Sequence, residues 1–307
     1  MKDNCPLVSI SCITFNHAPY IRQCLDGFMM QQTNFPFEVL IHDDASTDGT
    51  TEIIKEYEAK YPDIIKPLYE EENQWVKGRR GSAVFNFPRA KGKYIALCEG
   101  DDYWTDSLKL QKQVDVLNEY NTISICGHNA FDFNMTENKI SLVNNTIDDA
   151  LYSIEDIIER DWFIPTNSLM FRRDIFLKRY RDIKIVNGDY YVLLLLLAGG
   201  ENLYYSRDVM SVYRRHSGGI SNKFNCAILE RNLNVVLDEI NRLTDGAYYS
   251  SIIKKKKRLA SLTLWERKTH ESLLYKLAFA LISILNNLYT KLYYHYYNAR
   301  HFERNVE

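Results

Sequence analysis

The segment Tyr94–Trp104, "YIALCEGDDYW", decides how the fold of this chain is predicted. Its first residues form an apolar run typical of a buried β-strand, and three carboxylates, Glu99, Asp101 and Asp102, follow directly. Neighbouring anions raise each other's pKa and resist removal from water, so such a cluster costs stability unless a positive group binds it. The segment therefore predicts a strand that ends where a cation is expected.

Two earlier segments repeat the order of strand, polar loop and helix. Leu7–Ile13 is a Val- and Ile-rich strand before the loop Thr14–Asn16, and Val39–Ile41 is a short strand before the loop His42–Asp48. Apolar residues recur at helical spacing after each loop, and a third helix is predicted from Asp106. Strands that alternate with helices predict an α/β fold with a mostly parallel, doubly wound sheet. In such sheets ligands bind beyond the carboxyl ends of the strands, where all three loops are expected.

The second half of the chain adds further elements. Ser153 and Asp156 form a capping-box pattern that predicts a helix start. Residues 188–200, "GDYYVLLLLLAGG", predict a short buried helix from Asp189 that ends at the glycines. Residues 201–221 predict strands and a glycine-bearing loop, and helix dominates from Asn225 onward.

Composition narrows the classes of protein. The chain has 307 residues, 46% of them apolar, which fits one large domain with an appendage or two domains. Residues 251–307 carry 11 Lys and Arg against 4 Asp and Glu, whereas residues 1–250 carry 27 against 36, so the two parts are expected to meet different partners. The N-terminus shows no apolar leader and no apolar run reaches about 20 residues, so we expect a cytoplasmic protein, without a nucleic-acid partner. Six cysteines without a C-x-x-C pair predict reduced thiols.

The acidic loops have a chemistry of their own. Carboxylate sites without cysteine favour hard divalent cations, Mg²⁺ or Mn²⁺, which keep positions open for phosphate oxygens. Glu99-Gly100-Asp101 has a D-x-D-like spacing, although the same carboxylates are also suited to capping the helix at Asp106. The pair Asp43-Asp44 has a similar alternative, because Asp48 and Thr50 can cap the next helix, yet Asp44 is also placed to accept a base N–H.

Taken together, these loops resemble the family 2 glycosyltransferases, nucleotide-sugar enzymes of the GT-A (Rossmann-like) fold, in order, spacing and strand context over residues 7–120. The resemblance implies that the first two loops hold the nucleobase and ribose, most often of uridine. It also implies a Mn²⁺ or Mg²⁺ cofactor, with Asp101 as its ligand. Glu99 replaces the more usual Asp and is expected to contact the nucleotide. The implied nucleotide-binding residues are Thr14, Asn16, Asp43, Asp44 and Glu99.

The resemblance continues more loosely through residues 160–222. It implies that Asp189 is the general base and that His216, in "YRRHSG", is a second metal ligand. Each assignment has an alternative. Asp189 is also suited to an N-cap. A packing role is the alternative for His216, because lone histidines such as His42 and His128 usually have that role. The adjacent Arg214 and Arg215 are either pyrophosphate contacts or ordinary cations.

The acceptor is expected on the other side of the site. Asp161–Arg173 resembles the acceptor-side loop of the family, which implies acceptor contacts for Thr166 and Asn167. Trp104 and Trp162 are candidates for stacking on a sugar, with a core position as the alternative for each.

These observations predict an inverting, metal-dependent glycosyltransferase. It is expected to move a sugar from a nucleotide-diphosphate sugar, mainly a UDP-sugar, to a glycan or lipid-linked glycan in cell-surface polysaccharide synthesis. A nucleotidyltransferase is disfavoured, because residues 14–19, "TFNHAP", contain no Gly-rich phosphate loop and no Lys. The alternative from another class is a non-catalytic relative that binds carbohydrate or nucleotide sugar, which the loss of Asp101, Asp189 or His216 would indicate. All three are present.

The predicted domains are a GT-A catalytic domain over residues 1–222 and a basic, amphipathic helical region over residues 223–307. Within the first, residues 1–120 form the nucleotide-binding half and residues 121–222 the acceptor-binding half. The run "KKKKRL", Lys254–Leu259, and a leucine stripe over residues 273–297 are typical of a helix that lies on an anionic membrane surface. Such a helix would place the protein at the inner face of the membrane. Packing of the stripe on the catalytic domain or on a second subunit is the alternative.

Overall fold

The computed structural model describes residues 5–79, 81–160, 162–185, 188–219 and 226–269. Within them, one ten-stranded sheet has the order β3-β2-β1-β4-β9-β6-β10-β5, with β7 added beside β6 and β8 beside β10. Strands β3, β2, β1 and β4 are parallel, and β9 runs antiparallel between β4 and β6. The strands are β1 Val8–Thr14, β2 Phe37–Asp43, β3 Ile65–Tyr69, β4 Tyr94–Leu97, β5 Tyr103–Trp104, β6 Ile123–Asn134, β7 Lys139–Leu142, β8 Ala150–Tyr152, β9 Met170–Arg172 and β10 Asn202–Arg215.

The sheet is buried on both faces, as the predicted doubly wound fold requires. Strand β4 shows this directly, because Ile95 and Leu97 enter one hydrophobic core while Tyr94 and Ala96 enter the other. Successive side chains of a strand point to opposite faces, so a strand between two helical layers is apolar throughout. The predicted α/β class with a mostly parallel sheet is confirmed.

Nine α-helices surround the sheet in the described part of the chain. Helices α1, α2 and α4 each contribute side chains to one core, and α5, α7, α8 and α9 contribute to the other. The helices are α1 Ile21–Met29, α2 Thr50–Lys60, α3 Ser82–Phe85, α4 Lys109–Glu119, α5 Ile154–Glu159, α6 Arg173–Arg179, α7 Asp189–Leu197, α8 Cys226–Leu243 and α9 Tyr249–Thr269.

Helix α4 begins later than the sequence predicts. Asp106 forms a turn instead, in which its carboxylate accepts the Leu108 N–H at 2.8 Å and its carbonyl accepts the Lys109 N–H at 3.3 Å. Before that turn, Tyr103–Trp104 pairs antiparallel with β10 as a two-residue strand. A two-residue strand shows no periodicity in the sequence. The apolar pattern therefore does not reveal β5 and predicts the start of the helix at Asp106.

Other local predictions are confirmed. The capping box of α5 is present, with Ser153 Oγ accepting the Asp156 N–H at 3.2 Å. Helix α7 begins at Asp189, and its C-terminal turn is followed by Gly200 at a φ of 89°. Residues 202–215, predicted as several strands, form the single irregular strand β10.

The cysteines are free thiols where the structure describes them. Cys12, Cys24, Cys98 and Cys126 are buried, and Cys5 is exposed. Burial raises the pKa of Cys126 to about 12, which keeps this thiol protonated and unreactive. The expectation of reduced thiols in the core holds for these four buried residues, whereas Cys5 lies at the surface.

Helices α8 and α9 pack on the sheet domain rather than away from it. Val236 and Leu237 of α8 and Ile252 of α9 belong to the same core as α5 and α7. The division of the chain at residue 222 stays a prediction, because residues 220–225 lie outside the described part. No helix among the described residues is long and apolar enough to cross a bilayer.

The lysine run at the start of α9 is largely engaged by the protein itself. Lys254 Nζ lies 2.6 Å from Glu159, the buried Lys255 donates to the Arg160 carbonyl, and Lys256 pairs with Asp238. Lys255 is therefore turned inward, and the pairs of Lys254 and Lys256 hold α9 against its neighbours, while the membrane role of the run stays a prediction. The leucine stripe over residues 273–297 lies outside the described residues.

Candidate active site

The three polar loops meet at the carboxyl edge of the sheet, as predicted. Asn16 connects the first loop to the second, because its Oδ1 accepts the Thr47 N–H at 2.8 Å and its N–H donates to Ser46 Oγ at 2.9 Å. Asn16 has a φ of 55°, a left-handed conformation that Asn tolerates better than most residues. Asn16 therefore has a structural role, because it fixes the first two loops to each other at the predicted nucleotide-binding edge.

Asp43 and Asp44 end strand β2 with different surroundings. Asp43 accepts from Thr51 Oγ1 at 2.5 Å and from the Ser46 N–H at 3.2 Å. The Asp44 carboxylate accepts the backbone N–H groups of residues 74 and 75 at 2.5 and 3.1 Å. The contact of Asp44 with a base stays a prediction, and two of its acceptor positions are already used by the protein.

Asp48 has the helix-start role that the sequence left open. Its Oδ1 accepts the N–H of Thr50, the first residue of α2, at 3.1 Å, and its Oδ2 accepts the Ala18 N–H at 2.9 Å. Asp48 thus binds the first N–H of α2 from the residue before its N-cap, Gly49, and Asp43 and Asp44 stay at the strand end.

Thr14 and Gly100 lie in direct contact below the third loop. A Cβ at position 100 would lie 2.7 Å from Thr14 Oγ1, so only glycine fits between Glu99 and Asp101. Thr14 is buried, and its Oγ1 has no hydrogen-bond partner among the described residues. A buried hydroxyl without a partner costs free energy, which favours an incoming ligand group at this point.

Asp101 forms the centre of a cluster with two histidines. Its Oδ2 lies 3.0 Å from His216 Nε2 and 3.8 Å from His17 Nε2. Hydrogen bonding and the charges of both rings hold the pKa of Asp101 below its usual value despite burial. Sequence reasoning assigned Asp101 and His216 to this place and missed His17, whose only signal was its position in the polar loop after β1.

Asp102 and Arg214 support the cluster from behind. Asp102 Oδ1 accepts the Arg214 N–H at 2.8 Å, and its Oδ2 accepts from Asn167 Nδ2 at 2.9 Å. The guanidinium of Arg214 donates to the Asp101 carbonyl at 2.6 Å and also to Gln23. These bonds join the third loop to β10, so His216 and Asp101 are brought together by buried contacts of their direct neighbours.

Glu99 and Asp189 are the second pair of acidic groups at the site. Burial raises the pKa of Glu99 well above its usual value, and the nearby charges of Asp189, Asp101 and Asp102 raise it further. Burial also raises the pKa of Asp189, although Thr166 Oγ1 donates to its Oδ2 at 2.9 Å and favours the charged form. The site therefore concentrates negative charge that a cation would relieve.

The capping alternatives for these acids are not observed. Helix α4 has no side-chain cap, so Glu99, Asp101 and Asp102 do not cap it. Helix α7 also lacks a side-chain cap, and Asp189 is its first residue, with a carboxylate bound by Thr166. His42 and His128 are buried packing residues, as expected for lone histidines.

Two expectations for the acceptor side need correction. Trp104 is 2% exposed, packs on Phe28 and donates its indole N–H to the Asn167 carbonyl, so it is a core residue and offers no face to a sugar. Asn167 is fully buried and bonded to Asp102 and to the Val212 carbonyl, which makes it a support rather than an acceptor contact.

Trp162, by contrast, is 44% exposed and lies edge-on to Tyr190 in α7, next to Asp189, so it remains a candidate for stacking on a sugar.

A pyrophosphate contact, one of the two alternatives for Arg214 and Arg215, is not supported. Arg214 is buried in the contacts above, and Arg215 Nε donates to Asp132 at 2.7 Å. Asp161, at the start of the predicted acceptor loop, lies outside the described residues.

The residues present fit a divalent cation. One oxygen or nitrogen atom from each of His17, Asp101 and His216 lies within 4.8 Å of the others, and the same holds for Glu99, Asp101 and Asp102. Carboxylate and imidazole ligands without thiolate are suited to Mn²⁺ and related ions. Asp101 belongs to both groups, which agrees with its predicted role as the central ligand.

A mostly parallel sheet with acidic loops at its carboxyl edge and a helical C-terminal region has the architecture of the GT-A glycosyltransferases. A sequence model of the family Glycosyl transferase family 2 matches residues 9–181. That match covers more than half of the chain, and the protein belongs to this family.

Two relatives show how far the similarity reaches. The uncharacterized protein Rv1520 of Mycobacterium tuberculosis is 38% identical over 218 residues, which cover 69% of this chain and 60% of its own length. TuaG of Bacillus subtilis, a putative teichuronic acid biosynthesis glycosyltransferase, is 36% identical over 114 residues, 37% of this chain and 43% of its own. The chain thus spans 60% of the length of the first of these relatives.

Two solved structures share the fold. Staphylococcus aureus TarS in complex with UDP-GlcNAc superposes with a TM-score of 0.59 at 17% identity, over 76% of this chain and 66% of that chain. The mannosyltransferase PcManGT from Pyrobaculum calidifontis, in complex with GDP-Man and Mn²⁺, gives a TM-score of 0.57 at 17% identity, over 94% and 84%. At these identities the comparison shows the fold alone.

Proposed function

We propose that this glycosyltransferase uses a divalent cation and transfers a sugar, with inversion, from a nucleotide-diphosphate sugar to a hydroxyl group of a glycan or lipid-linked glycan. The observation that carries the proposal is the convergence of Asp101 and His216 at 3.0 Å beside the acidic pair Glu99 and Asp189. Metal-type ligands and a buried carboxylate at one strand edge are the groups that such a transfer needs.

The donor is proposed to lie across the first two loops. Thr14, with its unpartnered hydroxyl, and the carboxylates of Asp43 and Asp44 are the proposed contacts to the nucleoside, and Glu99 that to the ribose. Uridine is the proposed base, supported by the UDP-GlcNAc complex of TarS. Because PcManGT binds GDP-Man on the same fold, guanosine is the competing base in the test below.

Asp101 and His216 are proposed to hold Mn²⁺ or Mg²⁺, which when bound supplies positive charge for the diphosphate leaving group. Asp189 is proposed to take the proton of the acceptor hydroxyl as the new bond to the sugar C1 forms. One base on the acceptor side supports a single displacement, which inverts the configuration at C1. Thr166, bonded to Asp189, fixes the orientation of that carboxylate.

The proposal is tested with a panel of UDP- and GDP-sugars. The release of free nucleotide diphosphate from each sugar is measured in the presence of Mn²⁺ or Mg²⁺. We expect release from at least one UDP-sugar only when a divalent cation is present, because charge on the leaving group must be neutralised. Binding of the donor without release, even with acceptor glycans added, would instead support the alternative of a non-catalytic nucleotide-sugar-binding relative.

A role in cell-surface polysaccharide synthesis is supported by the similarity to TuaG, although that match covers 37% of the chain. We propose a lipid-linked acceptor and a peripheral position at the inner face of the membrane. Since Lys255 is buried and Lys254 and Lys256 pair with carboxylates of the protein, we propose that the attraction to lipid comes mainly from the C-terminal residues beyond them.

Vesicle co-sedimentation tests the membrane proposal. The full chain is expected to bind anionic vesicles at low salt and to lose binding at high salt, because exposed charges are screened. A chain that ends at Thr269 is expected to remain folded and catalytic on a water-soluble acceptor but to leave the vesicles. An insoluble truncated chain would show that the tail packs in the core or in an oligomer, which contradicts the membrane role.

A further inference from the structure

His17 is held rigidly at the edge of the Asp101 cluster. Its N–H donates to Thr50 Oγ1 at 2.8 Å, and its carbonyl accepts the N–H groups of Tyr20 and Ile21 at 2.8 Å each. The backbone of this residue is therefore fixed on three sides, by α2 and by the first turn of α1. A side chain on such a backbone is preorganised for a ligand.

The ring of His17 faces the same carboxylate oxygen as His216. Its Nε2 lies 3.8 Å from Asp101 Oδ2, beyond an ordinary hydrogen bond, whereas His216 Nε2 lies at 3.0 Å. The two imidazole rings are 6.2 Å apart at 88° to each other, so they approach the oxygen from different directions. Three ligand atoms in this arrangement surround a common space.

The other ring nitrogen of His17 has no competing role. Nδ1 is buried and has no hydrogen-bond partner among the described residues. Packing with Tyr20 accounts for the position of the ring but not for its approach to Asp101.

We propose that His17 is a third protein ligand of the divalent cation, together with Asp101 and His216. This inference rests on the proposed function and extends it to the kind of metal. Two imidazoles and one carboxylate favour Mn²⁺ over Mg²⁺, because Mg²⁺ prefers oxygen ligands in a near-octahedral shell, while first-row transition ions accept nitrogen readily. The protein should therefore discriminate between the two ions without nucleotide.

Titration of the purified full chain with Mn²⁺ alone, followed by electron paramagnetic resonance, tests the assignment. We expect His17→Gln to weaken Mn²⁺ binding by roughly tenfold or more, since changes even outside the ligand shell cost that much. Competition by Mg²⁺ should become more effective in this variant. His42→Gln is the matched control, because His42 also pairs with a carboxylate, Glu70, at 3.2 Å, and its loss should leave Mn²⁺ affinity unchanged.

A second measurement does not require the His17 variant to fold. In His216→Ala, pulsed paramagnetic resonance of bound Mn²⁺ should still show nitrogen coupling, now from His17 alone. Loss of all nitrogen coupling in His216→Ala, or unchanged Mn²⁺ affinity in folded His17→Gln, overturns the inference while the metal role of Asp101 stands. Failure of the wild-type protein to bind Mn²⁺ both alone and with UDP counts against the proposed function itself.

Discussion

Asp101→Ala is expected to reduce nucleotide diphosphate release by about a thousandfold or more. Asp101 is shared by both candidate ligand groups, so its removal leaves no oxygen between His17 and His216. Charge stabilisation by a bound cation is worth several kcal/mol, and each 1.36 kcal/mol is a factor of about ten in rate. The measurement is nucleotide release at saturating donor over a range of Mn²⁺ concentrations.

The matched control is Asp106→Asn. Asp106 lies further along the same segment, but its carboxylate accepts from Leu108 and pairs with Lys112 outside the cluster. This variant should keep Mn²⁺-dependent release near the wild-type rate. Full activity of Asp101→Ala would remove Asp101 from the site, and the assignment of His216 would lose its main support.

The sequence predicted the sheet and its active edge because each strand carries its own signal. Strands β1, β2 and β4 are short runs that are rich in apolar residues, and the loops that follow them are polar, so the alternation of strand and helix is visible without tertiary information. Parallel strands place their carboxyl ends at one edge, which is why the loops with Asn16, Asp44 and Asp101 are expected together, whereas Asp189 is assigned to the site by the resemblance to the family.

The errors fall where distant contacts decide. Trp104 resembles an exposed aromatic beside an acidic loop, but the pairing of β5 with β10 buries it under the Asn167 carbonyl. Likewise, Lys254–Lys256 has the composition of an exposed basic run, and only the packing of α9 against α5 and α8 shows that these lysines bind groups of the protein. The sequence gives no sign of His17, because the position of its ring is defined by Asp101 and His216, which are distant in the chain.

Asp189→Asn is expected to lower kcat by roughly 10²–10⁴-fold while the dissociation constant of the donor stays near its wild-type value. The amide keeps the shape of the side chain but cannot take a proton in the transition state, and ground-state binding does not depend on that proton. Asp174→Asn is the control, because Asp174 also lies in the first turn of a helix but pairs with Lys178 on the surface. An unchanged kcat in Asp189→Asn would move the base elsewhere, with Asp102 or Asp161 next to be tested.

The pH profile separates a base from a merely structural carboxylate. Because burial raises the pKa of Asp189, kcat of the wild type should fall on acidification at a pH above about 3.9, the value for an exposed Asp. The Thr166 hydroxyl donates to Asp189 Oδ2 and stabilises its charged form, so Thr166→Val should raise that pKa further and move the acid limb to higher pH. In Asp189→Asn the limb should disappear from the residual rate. A Thr166→Val enzyme with an unshifted acid limb would show that another group controls the pH profile. Within the described residues, Thr166 is the only side chain that donates a hydrogen bond to Asp189.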